Sequence, residues 1–362
     1  MKTIRLGIIG TGMALERLHY PALQELGDKY QIVAVCNRTR KDAEDFAKKI
    51  NLDLSNVYDD YNKMLLRGDL DAVDILVPIE LNYTVSEAVA KAGIDFICEK
   101  PMASSMEEAD KYLTLSKKYN VKIMIAENYR YNEENNIIRD IVNSKKIGDT
   151  VYFIRNNISC FPCEMTQDTF AAKEWRQHPK YYGGAFLDAA PHDFAALRHI
   201  FGAVECVQAF GKPQQEDFNP YLSINTNILF KNGVIGQYTY FPSGIETQKP
   251  PVGLRIFGTK GEIYLEDKNC GIINISYHDG KTEQVKYTPE RGYYNELLNF
   301  YNALNGTEQI SVTPDIEYGD VKMVFDTLKS ISERKIIYVD APYPVREVSP
   351  IEHENQNSLY FQ

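Results

Sequence analysis

Five apolar runs punctuate the first third of the chain: IRLGIIG, QIVAVCN, AVDILVP, DFICE and VKIMIAE. Between them lie stretches with apolar residues at helical spacing, among them RKDAEDFAKKI, YTVSEAVAKAG and SMEEADKYLTLSKKYN. A strand that is apolar at consecutive positions must be covered on both faces, and crossover helices supply that cover. The pattern predicts a parallel sheet within residues 1–127, with room for about six strands.

After Asn128 the pattern changes. One helical stretch, EENNIIRDIVNSKKIG, precedes a series of alternating strands joined by tight turns. INTNILFKNGVIGQYTYF reads as a hairpin turning at Asn232-Gly233, and IINISYHDGKTEQVKY repeats the design with an Asp-Gly turn. LRIFGTKGEIYLE reads as a third hairpin, and helices are expected around 194–201, 293–304 and 315–332. Residues 128–345 therefore read as an α+β domain with a large, open, mostly antiparallel sheet. The last segment, 346–362, ends in HENQNSLYFQ, which reads as partly the remnant of an engineered protease site.

Composition narrows the function. Of 362 residues 44% are hydrophobic and 25% charged, and the net charge is −10 with no basic stripe, which argues against nucleic acid as partner. No apolar run approaches the roughly 18 residues of a membrane span. Cys36, Cys98 and Cys206 lie in apolar strand-like runs, a pattern of reduced, buried thiols that suits the cytoplasm. Cys160 and Cys163 have C-x-x-C spacing, but no second pair completes a zinc set. They are expected to be idle thiols, and no metal site is expected.

Candidate chemistry begins directly after the first strand, in GIIGTGMALERLHY. Gly10 and Gly12 supply a tight turn and close backbone approach, and a helix from Met13 and Ala14 offers free N–H groups to a pyrophosphate. Leu15 stands where a third small residue is usual. At the end of the second strand, Asn37 occupies the place of the carboxylate that holds a ribose 2′-hydroxyl, and Arg38 and Arg40 follow. A guanidinium pairs with a 2′-phosphate, so NADP(H) is favoured over NAD(H). His19, on the first helix, reads as a helix-surface or domain-contact residue.

Two further motifs carry charge to places of interest. DFICEKPMA brings Glu99 and Lys100 to the carboxyl end of a parallel strand, where such sheets bind ligands. LDAAPHDF sets Asp188 and His192 four apart, on one face of a helix expected to start near Asp188, with Pro191 in its first turn.

Taken in order, the glycine turn, EKP, AENYRY and GGAFLDAAPHDFAALRHIFG resemble the glucose–fructose oxidoreductase/inositol dehydrogenase/MocA-like family, up to about residue 345. The resemblance implies a Rossmann NAD(P)-binding domain over 1–127. It also implies a substrate-binding and oligomerisation domain over 128–345, assembled as a homodimer or homotetramer through its sheet. It implies that Lys100 sits beside the nicotinamide, with a cis bond to Pro101, and that Lys100, Asp188 and His192 are catalytic. The family's Thr-Pro-Asn loop and following histidine are here Val77-Pro78-Ile79 and Asn82. The cofactor side then comprises Gly10, Gly12, Met13, Ala14, Asn37, Arg38, Arg40, Pro78, Asn82, Glu99, Lys100 and Asn128. Tyr129, Trp175 and Arg176 join Lys100, Asp188 and His192 toward substrate. Glu127 is placed, like Asn128, to border the nicotinamide. The expected reaction interconverts a hydroxyl and a carbonyl on a sugar, inositol or related polyol. An NAD-retaining glycoside hydrolase and a non-catalytic ligand sensor are the alternatives on the same fold.

Overall fold

The computed structural model describes residues 1–341; the tail 346–362 and the last few residues before it lie outside the described residues. Strands β1 (Ile4–Ile9), β2 (Tyr30–Cys36), β3 (Val57–Tyr58), β4 (Ala72–Ile75), β5 (Asp95–Glu99) and β6 (Ile123–Ala126) form one sheet in the order β3-β2-β1-β4-β5-β6. Every pairing in it is parallel. Strand order reverses between β1 and β4, and the crevice at such a switch point is where these sheets take their ligands. Leu6, Ile8, Val35, Val73, Ile75, Phe96 and Ile97 are all fully buried, as strands covered on both faces require.

A second sheet is built from β7 (Thr150–Ile158), β8 (Val204–Pro213), β9 (Tyr221–Phe230), β10 (Ile235–Phe241), β11 (Leu254–Gly258), β12 (Gly261–Leu265), β13 (Ile272–Tyr277), β14 (Thr282–Lys286) and β15 (Ile337–Tyr338). Its order is β14-β13-β12-β11-β7-β10-β9-β8-β15. All neighbours are antiparallel except β7 and β10. The expected hairpins are present, with Gly233 and Gly280 at positive φ in their turns.

The chain then returns to the first sheet. Helix Gly292–Leu304 packs on the first helix, where the buried Tyr30 hydroxyl donates to the Leu297 carbonyl at 2.6 Å. Helix Pro314–Glu333 packs on both Met106–Tyr119 and Ala185–Phe201. At that junction Asp320, fully buried, accepts from Arg130 at 2.8 Å and from Arg198. Glu317 beside them is pushed well above the usual carboxylate range by burial and by the Asp320 charge. Removing one partner of such a buried pair strands the other charge, at a cost of about 3–5 kcal/mol. The two domains are thus locked along a seam, which the carboxyl ends of β5 and β6 reach through Lys100 and Glu127.

Candidate active site

Gly10 leaves β1 at φ +101°, and a Cβ there would lie 2.1 Å from the Leu76 carbonyl oxygen, so no other residue fits. Gly12 differs: a Cβ on it meets nothing within 4 Å. That open space lies against the first turn at Met13 and Ala14, whose N–H groups have no acceptor within a helix. A glycine with room around it at the head of a helix fits a dinucleotide pyrophosphate. The buried Thr11 hydroxyl accepts from the Asn37 amide at 2.7 Å, and Asn37 Oδ1 accepts the Thr39 N–H at 3.2 Å. Asn37 therefore shapes the loop. Arg40 is engaged with Glu44 at 2.8 Å and the Val57 carbonyl at 3.3 Å. Arg38 stands exposed with no ion pair among the described residues.

Past the switch point, Pro78 caps the helix Ile79–Lys91 and Asn82 lies one turn inside it, fully buried. The Asn82 amide donates to the carbonyls of Glu99 at 3.0 Å and Pro101 at 2.8 Å. It so grips the backbone on both sides of Lys100. The Lys100–Pro101 peptide is cis. One Glu99 oxygen accepts the Lys100 N–H at 3.0 Å, and the Lys100 ammonium crosses the seam to the second domain. There it donates to the Asp188 carbonyl at 2.6 Å and lies 3.3 Å from the Asp188 carboxylate.

The helix that receives it spans Ala185–Phe201, three residues earlier than the motif suggested. Its start is set by Gly183-Gly184, both at positive φ, where a Cβ on Gly184 would lie 2.3 Å from the Phe218 carbonyl. Asp188 is therefore no cap, and Pro191 falls inside the helix, removing the N–H that would bond the Leu187 carbonyl. Arg176 holds the other Asp188 oxygen at 2.5 Å. Burial alone would raise the Asp188 carboxyl, but Arg176 and then Lys100 outweigh it and hold the group well below the usual range.

One turn on, His192 Nδ1 lies 2.7 Å from the Glu127 carboxylate at the end of β6, and the ring stacks on Tyr129 with centroids 4.4 Å apart. A carboxylate oxygen accepts, so Nδ1 carries a hydrogen, and in the neutral ring Nε2 keeps its lone pair. No hydrogen bond engages His192 Nε2 among the described residues. Lys100, Asp188 and His192 side chains are 11%, 16% and 18% exposed, which makes them reachable yet mostly dry. Asn128 is instead buried against Gly292, its Oδ1 without a partner.

Arg176 arrives on an irregular stretch that follows β7. Its guanidinium lies over the rings of Trp175 at 4.1 Å and Phe170 at 5.3 Å, so Trp175 supports the arginine. The stretch also bonds back to the first domain, where Arg17 donates to the Asp168 carboxylate at 2.7 Å and its carbonyl at 2.8 Å. Three expectations are corrected here, that for His19 in part. Cys160 and Cys163 form a disulfide, with Cα atoms 5.2 Å apart across the first turn of Phe161–Glu164, a separation that brings the sulfurs within bonding reach. His19 is not on the helix surface but fully buried and bonded to Asp74 and Glu99, because a π-helical turn over Leu15–His19 rotates it under the sheet; it does contact the second domain, at Tyr293 and Glu296. Cys206 is half-buried rather than buried, since it faces outward from β8.

A parallel sheet with a glycine turn at its switch point, joined to a second domain through Lys100 and His192, is the fold of a nicotinamide-dependent oxidoreductase. Residues 4–127 match the model of the oxidoreductase family with an NAD-binding Rossmann fold, and residues 136–264 match the GFO/IDH/MocA C-terminal domain. The chain belongs to the GFO/IDH/MocA oxidoreductase family. It is similar to an uncharacterized protein of Saccharomyces cerevisiae, 30% identical over 315 residues that make up 84% of this chain and 88% of that one. It is 22% identical over 347 residues to the myo-inositol 2-dehydrogenase of Thermotoga maritima, covering 93% of this chain and 99% of the other. A solved oxidoreductase from Thermotoga maritima, 30% identical, superposes with a TM-score of 0.82 over 93% of this chain and 99% of its own.

Proposed function

We propose that the protein interconverts a secondary alcohol and a carbonyl on a sugar, inositol or related polyol, with Lys100, Asp188 and His192 as its working groups. The observation that carries this reading is that Lys100 of the first domain reaches Asp188 while His192, one turn further along the same helix, is held by the buried Glu127 carboxylate. The relative named as a myo-inositol 2-dehydrogenase supports the polyol class. A bound nicotinamide supplies the hydride acceptor or donor.

The chain supplies placement and proton transfer. His192 Nε2 takes the substrate hydroxyl proton, since Nδ1 is already committed to Glu127. The Lys100 ammonium stabilises the negative charge that develops on the same oxygen, in a site dry enough for the interaction to be strong. Asp188, fixed by Arg176, keeps the ammonium aimed. Tyr129 buttresses the imidazole face and leaves its edge to substrate.

Three finer assignments belong to the same reading. NADP(H) is favoured over NAD(H), because the end of β2 carries Asn37 in place of a carboxylate and leaves Arg38 free to meet a 2′-phosphate. A homodimer or homotetramer forms through the open face of the second sheet, where Phe210, Ile235 and Tyr338 stand exposed. The free cysteines Cys36, Cys98, Cys206 and Cys270 suit a cytoplasmic protein.

The test follows nicotinamide absorbance with a panel of polyols and keto-sugars, offering NAD(H) and NADP(H) separately, beside Lys100→Met. Turnover that the variant loses while still binding cofactor is the expected result. Cofactor binding without any absorbance change across the panel would overturn the reading in favour of a retaining hydrolase or a sensor.

A further inference from the structure

A buried cluster of charge lies directly beneath Lys100, and none of it touches substrate in the reading above. His19 has no exposed surface. Its Nδ1 is 2.9 Å from Asp74 on β4 and its Nε2 is 3.2 Å from Glu99 on β5. Helix Gly292–Leu304 adds Glu296, 4.0 Å from Nε2, and the Tyr293 ring, whose centroid is 5.8 Å from the imidazole. Carboxylate oxygens accept and do not donate, so both ring nitrogens must carry hydrogen to satisfy Asp74 and Glu99 together.

The electrostatics agree with that geometry. Burial alone would strip the proton from His19, but Asp74 and then Glu99 hold it well above the ordinary histidine range. Burial would likewise raise Glu99, and the hydrogen bond from His19 brings it below the usual carboxylate range. Glu296 is driven well above that range by burial, with His19 opposing and Glu99, Glu127 and Asp74 adding to it. One buried cation thus serves a crowd of carboxylates, and only two of them bond to it.

Glu99 uses its two oxygens differently. Oε1 meets His19, while Oε2 accepts the Lys100 N–H at 3.0 Å. We propose that His19 is a positioning residue for the reaction: anchored by Asp74, it clamps Glu99, and Glu99 fixes the backbone from which Lys100 reaches Asp188. The clamp works from below the strand, while the Asn82 amide grips the neighbouring carbonyls from the side. The π-helical turn is what makes it possible. The Tyr20 N–H bonds Leu15 O, five residues back, and the extra residue in that turn swings His19 into the sheet. This inference rests on Lys100 acting in alcohol–carbonyl chemistry.

The experiment has two arms. In the first, the imidazole nitrogens of cofactor-free protein are followed by nitrogen-edited NMR through rising pH, for wild type and Glu99→Gln. The wild type is expected to keep both His19 N–H signals far past an ordinary histidine midpoint near 6.5. The near-isosteric Glu99→Gln is expected to lose the Nε2–H signal. A His19 that titrates in the ordinary range overturns the proposal.

In the second arm, His19→Gln and Glu99→Gln are compared with wild type in steady-state turnover. Misplacing a reacting group by a fraction of an ångström should lower kcat by about tenfold to a hundredfold, with KM for substrate and cofactor little changed. If His19→Gln does not fold, Glu99→Gln alone decides. An unchanged kcat in folded Glu99→Gln overturns the proposal. Wild-type protein that turns over no polyol would sink the alcohol–carbonyl reading instead, and the NMR arm still judges the clamp.

Discussion

The Glu127 carboxylate and the His192 imidazole meet at 2.7 Å across the domain seam, from positions 65 residues apart in the chain. Glu127 also accepts the Tyr129 N–H at 3.1 Å, so the carboxylate is aimed from its own side before the histidine arrives. Its charge fixes which ring nitrogen is free. Glu127→Gln can present an amide N–H to Nδ1, reverse the tautomer and remove the base from Nε2. The expected loss in kcat is on the order of 10²–10⁴, with cofactor affinity retained. Stopped-flow absorbance beside a cofactor-fluorescence titration would check it.

Gly10 and Gly12 should fail in different ways. Gly10→Ala drives a Cβ into the Leu76 carbonyl at a backbone angle that L-residues avoid, so folding itself suffers. Gly12→Val finds empty space and should leave the melting temperature nearly unchanged, yet fill the room a pyrophosphate needs. Calorimetry with and without nicotinamide nucleotide separates the two. Stabilisation of Gly12→Val by cofactor equal to that of wild type would contradict the assignment.

In the proposed reading Arg38 is the residue that discriminates at the ribose. A charge-assisted pair to a 2′-phosphate is worth roughly 1.5–3 kcal/mol. Arg38→Ala should therefore weaken NADPH binding by about tenfold to a hundredfold and leave NADH almost untouched. Equal losses for the two would return Arg38 to the status of a solvated surface charge.

Glu134 links stability to pH. Burial lifts its carboxyl to about 7, and Oε2 has no partner among the described residues. A raised folded value means that the native state binds more protons than the unfolded chain between about 4.3 and 7. Its stabilising share is therefore complete below that window and lost as pH rises through it. Glu134→Gln should unfold later than wild type at pH 8 and show little difference at pH 4, a gap of about 1–3 kcal/mol. Urea unfolding at the two pH values measures it.

Much of the architecture was legible because the two domains write their apolar residues in different periods. Consecutive apolar strands with helices between them imply a parallel sheet, and alternating strands with Asn-Gly turns imply hairpins. The two-residue strands β3 and β15 carry too few positions for any period to show. The helix over Ala185–Phe201 was expected late, because Asp188 and Pro191 resemble a cap and a first turn. Gly183-Gly184 held the true start signal.

Among the site residues, those carried by local motifs could be named, whereas their pairing could not: Glu127 and Arg176 were expected near the site, but not as the partners of His192 and Asp188. Nothing near His192 points to Glu127, and nothing near Lys100 points to His19. One clue was available: Asp74 sits inside the otherwise apolar AVDILV, and a buried carboxylate needs a hydrogen-bonding partner. Asking who supplies it leads to His19. Cys160 and Cys163 were expected to be idle because a zinc set needs four ligands, while a local disulfide needs only the two.

The stretch carrying Trp175 and Arg176 is stapled to itself by Cys160–Cys163, braced internally by Gln177 on the Met165 and Ala171 carbonyls, and pinned to the first domain by Arg17. The reacting groups hang from strand ends and one long helix instead. In the proposed reading such a division lets the stretch around Arg176 be rewritten to change which alcohol is admitted, on the condition that the arginine keeps its hold on Asp188.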